Sequence, residues 1–189
     1  MDNEKMIQRL KNAGMTFDPG LDSEEIIQIE SFFGFRFPAE IKSFYECAFP
    51  SKGPFFNWRD LSEEGLKQFQ SFYKQMEKRF LFDIEHNNMY MSYMFDAQGW
   101  KDMDKVEFTD VILEYLHQSP KLIPFYAHRC FFDGMDDMPI ISFWQPTDSI
   151  FYGKNFEDYL EVEFLKKPLY IDEVTDRMKD TGIWYYLIE

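Results

Sequence analysis

The hydrophobic pattern changes period part-way along the chain, and this change limits the fold more than any other feature. Before Pro120, apolar residues recur at helical spacing. After it come "KLIPFYAHRC", "PIISFWQ" and "SIFYG", short β-branched or aromatic runs separated by turn residues. Asp133-Gly134 is a turn dipeptide between the first two. Consecutive short strands joined this way pair antiparallel. The fold class expected is therefore α+β: one domain over residues 1–189, with an antiparallel sheet of short strands and helices packed around it.

The helical part has clear punctuation. Residues 4–13 form a short amphipathic helix on Met6, Ile7 and Leu10, closed by Gly14. Asp22 caps the next helix, and Glu25 three residues on completes a capping box. Ile26, Ile29 and Phe33 are its buried stripe, and Gly34 ends it. "FRFP" turns the corner, and Pro38 suits the first turn of a helix that buries Ile41, Phe44, Tyr45 and Ala48. "PSKGPFFNWRD" is a loop whose Phe55, Phe56 and Trp58 serve either the core or a partner.

A longer helix runs from Ser62 to about Phe82, with Leu66, Phe69, Tyr73, Met76 and Phe80 inward. Residues 87–101 are irregular, with "YMSYMF" a strand candidate. Helices follow at 106–117 and 155–164, the second capped by Asn155 with Lys166 and Lys167 past its end, where the dipole favours cations. "YIDEVTDRMKDTG" is expected as a last short helix, with "IWYYLIE" docked on the body. The 22 Phe in 189 residues supply enough buried area for a core in few layers.

Charge narrows the function. The formal net charge is −14, and residues 133–189 hold more than half of it, with 13 acids against five bases. Phosphate backbones repel such a surface, which argues against nucleic-acid binding. An acidic face instead suits a basic protein partner, or solubility alone. The two cysteines, Cys47 and Cys130, read as reduced core thiols, and no run is long enough to span a membrane. The expected location is the cytoplasm.

Tests for catalysis return little. His86, His117 and His128 have no metal-ligand spacing, no HExxH occurs, and "DGMDD" lacks the order of a calcium loop. No phosphate-binding or nucleophile-elbow motif is present. Neither a metal nor another cofactor is expected. His128 and Arg129, with Asp148 reaching back from the third strand, form either a base oriented by a carboxylate or a polar network that fixes strand register. The structural alternative is favoured, since no nucleophile or oxyanion donor lies nearby in the sequence. Glu157, Asp158 and Glu161 place like charges at helical spacing, either as a solvated face or as an acidic ridge facing a basic partner.

These residues also suggest a family. "LDSEEIIQIESFFGFRFPAEIKSFY" resembles the opening of SUKH superfamily proteins, and "LIPFYAHR", "MPIISF" and "DSIFYGKNFEDYLEVEF" resemble their C-terminal half, in the expected order. The resemblance covers about two thirds of the chain and leaves out residues 60–105. It implies an α+β fold without catalytic activity. Bacterial members are mostly immunity proteins that bind and neutralise a cognate polymorphic toxin, often a nuclease. Fungal relatives regulate cell-wall assembly through protein contacts, so a regulatory scaffold is the alternative. On the toxin reading the partner is a basic domain, and Asp133, Asp136, Asp137, Glu157, Asp158 and Glu161 are the expected contacts.

Overall fold

Four antiparallel strands lie in chain order: β3 (Leu122–Tyr126), β4 (Arg129–Phe132), β5 (Ile141–Gln145) and β6 (Asp148–Phe151). The computed structural model describes residues 1–89, 99–170 and 175–188. Before the sheet come α1 (Asn3–Asn12), β1 (Phe17–Pro19), α2 (Ser23–Phe33), α3 (Ala39–Cys47), β2 (Ala48–Pro50), α4 (Glu63–His86) and α5 (Lys105–Gln118). After it come α6 (Phe156–Leu165) and α7 (Trp184–Leu187), with short 3₁₀ turns at Trp100–Asp102 and Thr175–Met178. β1 and β2 pair as a separate two-stranded ribbon. The chain is an α+β protein.

The sheet is covered on both faces, which explains why its strands read as apolar runs rather than alternating ones. Ile123, Phe125, Phe131 and Ile140 join a cluster built from α1, α2, α3 and α6, where Leu10, Ile26, Phe44 and Tyr159 are buried. Leu122, Cys130, Phe132, Ile141, Phe143 and Phe151 face a second cluster holding Phe80, Ile112 and Trp184. The edge strand β6 alternates instead, with Asp148 and Ile150 exposed and Ser149 and Phe151 buried.

The capping box of α2 forms as expected: Asp22 accepts from the N–H groups of Glu24 and Glu25, and Glu25 accepts from that of Asp22. Gly34 ends α2 in a left-handed conformation, φ 69°, open to glycine without strain. Pro38 sits one residue before α3, at its N-cap. α4 extends a turn beyond the expected Phe82, to His86.

The structure corrects some expectations and decides others. "KLIPFYAHRC" is two strands, because Ala127 takes φ 51° and the chain reverses over Ala127-His128. Cys47 is exposed at the end of α3, whereas Cys130 is buried as expected. Trp58 is fully buried, its indole N–H donating to the Tyr45 hydroxyl at 3.2 Å, and Phe55 and Phe56 pack against the same core. The described part of the last expected helix is the 3₁₀ turn Thr175–Met178. The strand expected at "YMSYMF" lies outside the described residues.

Candidate functional site

The connector from β4 to β5 folds back onto the α2–α3 corner. Asp133 Oδ1 accepts from Arg36 N–H at 2.8 Å, and Asp136 Oδ1 accepts from Ala39 N–H at 2.6 Å. The second contact has a local cause: Pro38, as N-cap of α3, offers no side-chain acceptor, so an orphan N–H of the first turn is met from outside. Asp137 N–H donates to Glu40 Oε1 at 3.0 Å. Burial raises the Glu40 pKa, and the nearby Asp136 and Asp137 charges add to the effect.

Arg177 ties this connector to the residue before the N-cap of α6. Its guanidinium donates to the carbonyl of Asp137 at 2.5 Å and to that of Lys154 at 2.7 Å, and it lies 3.2 Å from the Asp137 carboxylate. The connector is thereby held to the chain that enters α6. Glu157 stands exposed in the first turn of α6, with no ion-pair partner among the described residues.

Asp158 and Glu161 have internal partners. Asp158 is buried, and its carboxylate accepts from Lys154 N–H at 3.0 Å and from Lys167 Nζ at 2.7 Å. Lys166 makes this possible: it ends α6 in the left-handed region, φ 60°, and swings Lys167 back over the helix. Lys167 Nζ also reaches Glu161 at 2.9 Å, and Arg9 from α1 reaches Glu161 at 2.6 Å. Burial pushes the Asp158 pKa up, but the bonds from Lys167 and Lys154 outweigh it and hold it below the usual value. Lys167, then Arg9, lower that of Glu161, while Lys167 itself is raised to about 12.

His128 and Arg129 occupy the β3–β4 turn and the start of β4. Arg129 donates to Glu163 at 3.1 Å and to Ser142 Oγ at 3.0 Å, and its guanidinium stacks 3.6 Å from the Tyr152 ring centroid. Arg129 also lies against His128 Nε2. A guanidinium only donates, so a neutral ring that bonds it through Nε2 carries its proton on Nδ1. Burial, then Arg129 and Arg79, lower the His128 pKa, and Asp148 opposes them weakly. Asp148 is exposed at the start of β6, and the carboxylate bonded to Arg129 is that of Glu163. Arg129 and Ser142 are register partners on β4 and β5, so this bond links adjacent strands.

Sequence reasoning did not find Glu40, Arg177, Arg9 or Glu163. Each is a single charged residue far along the chain from its partner, with no local pattern to mark it. Among the described residues, no group of three or more His, Cys, Asp or Glu is placed to hold a metal ion. No described helix is long and apolar enough to cross a membrane. Compared with protein-family models, curated proteins and solved structures, the chain finds no match in any of the three. The SUKH resemblance therefore rests on the motifs quoted above.

Proposed function

We propose that this chain is a non-catalytic immunity protein of SUKH type, which binds a basic toxin domain in the cytoplasm and blocks it. One observation carries the reading. Arg177 joins the connector carrying Asp136 and Asp137 to the backbone of Lys154, three residues before the exposed Glu157, and Glu40 bonds the same connector, which makes an acid-rich region of the surface. Such a surface speeds encounter with a basic partner and occupies the positive groove that a nuclease keeps for phosphate.

Within the expected contact set, the roles divide. Asp136, Asp137 and Glu157 are exposed and able to meet a partner directly. Asp133 is half-buried on Arg36, while Asp158 and Glu161 hold Lys167 and stiffen the platform beneath. The polar network of Arg129, His128 and Ser142 serves the sheet rather than a reaction.

The test is functional. The tagged protein is recovered from its native host, and the domain it retains at low salt is identified and expressed alone. Growth arrest by that domain, relieved when this chain is co-expressed, supports immunity. Retention of several unrelated host proteins, none of them toxic, supports the regulatory scaffold instead.

A further inference from the structure

We propose that the groove between α4 and the β3–β4 turn binds an acidic peptide segment of a protein partner, with one large apolar side chain seated on the groove floor. This surface is separate from the acid-rich face and opposite in sign. The groove has a volume of about 300 Å³. Its floor is apolar, with Phe56, Met76, Pro124 and Phe143, and its α4 wall carries Gln68, Ser71, Gln75 and Arg79. That wall repeats every three or four residues, so these polar groups follow the helix along the length of the groove.

The charge on the rim points to the ligand. Lys67, Lys74 and Lys78 are exposed, and each lies three or four residues from Ser71 or Gln75, so they form the next stripe outward on the helix beside the wall. With Arg79 they place four cations within about 18 Å of helix. Among the described residues none of the four makes a salt bridge, in a chain with 34 acidic residues. Lys74 and Lys78 lie four apart, a like-charge spacing that weakens a helix unless an anion answers it. Arg79 spends its face on Trp144, 4.6 Å from the ring centroid, which leaves its N–H edge for a carboxylate. Trp144 is itself 52% exposed and adds an apolar ring beside Arg79.

The floor separates an acidic peptide from a nucleic acid. A peptide supplies carboxylates to the rim and a Leu, Phe or Trp side chain to the floor, in the manner of anchor residues in grooves. A phosphate backbone would meet the rim but leave the floor unfilled, and the chain's net −14 opposes it.

The experiment selects binders from a random peptide display library on the full chain and measures the enriched peptides by fluorescence anisotropy. The expected result is enrichment of Asp- and Glu-rich peptides containing one aromatic or aliphatic anchor. Arg79→Gln should weaken them about tenfold or more, and Lys74→Glu with Lys78→Glu should do the same, both with unchanged circular dichroism. Exchanging the anchor for Ala should cost a similar factor, and Glu107→Gln on α5 should change nothing. Enrichment without acidic residues, affinity indifferent to Arg79→Gln, or tighter binding of a single-stranded oligonucleotide than of the selected peptides would each overturn the proposal.

Discussion

Lys167 Nζ lies 2.7 Å from Asp158 and 2.9 Å from Glu161, so one lysine beyond the end of α6 bridges two carboxylates on it. The like charges that the helix would otherwise carry at a spacing of three are joined rather than opposed. Lys167→Met removes that cation and leaves Asp158, nearly buried, with one backbone donor. The expected loss is about 1–3 kcal/mol, since a buried charged acceptor is left partly unmet. Urea unfolding of the two proteins checks it; equal midpoints would show that Lys167 is ornamental.

The same cluster sets an acid limit. Asp158 and Glu161 have folded pKa values below their ordinary ones, so the unfolded chain binds more protons as pH falls. Their contribution is complete above the unfolded carboxylate range, near pH 4–5, and is lost as pH falls through the folded values. Melting temperature should therefore drop below about pH 4.5. In Asp158→Asn with Glu161→Gln, part of that slope should vanish; a slope identical to the wild type would place the acid sensitivity elsewhere.

His128 titrates in the opposite charge sense with the same outcome. Its folded pKa is lowered by burial and by Arg129 and Arg79, so its neutral form belongs to the fold. The stability it confers is complete above about pH 6.5 and declines as pH falls toward the folded value. An NMR titration should give His128 a midpoint below 6.5 and the Nδ1–H tautomer. A midpoint above that value would mean that Asp148, not Arg129, governs the ring.

A second buried carboxylate fixes the far end of the sheet. Asp83 on α4 is fully buried and accepts from the N–H and hydroxyl of Thr147 at 2.7 Å each, and from the Asn87 amide at 2.7 Å. It joins α4 to the β5–β6 turn. Asp83→Ala should destabilise by about 3 kcal/mol and loosen hydrogen exchange first at β6. Uniform protection with no loss of stability would remove Asp83 from the fold's supports.

Local chemistry made much of this legible in the sequence. The capping box at Asp22, the stripe of Ile26, Ile29 and Phe33, and Asn155 as the cap of α6 were each readable because every partner lies within one or two turns. The β3–β4 turn was not readable, because it rests on Ala127 at positive φ, with no glycine or asparagine to announce it. The acidic residues were visible as a group, but their long-range partners were not. Arg9 and Glu161 are 152 residues apart, and the Arg36 backbone N–H meets Asp133 across 97, so only the folded chain shows which carboxylates are already engaged.

The most direct test of the toxin-binding reading is the association rate between the purified chain and the growth-arresting domain recovered from its host, measured against salt. The expected rate falls steeply with added salt, and Glu157→Lys slows it several-fold at low salt while leaving the melting temperature unchanged. A rate indifferent both to salt and to Glu157→Lys would contradict recognition through the acid-rich face.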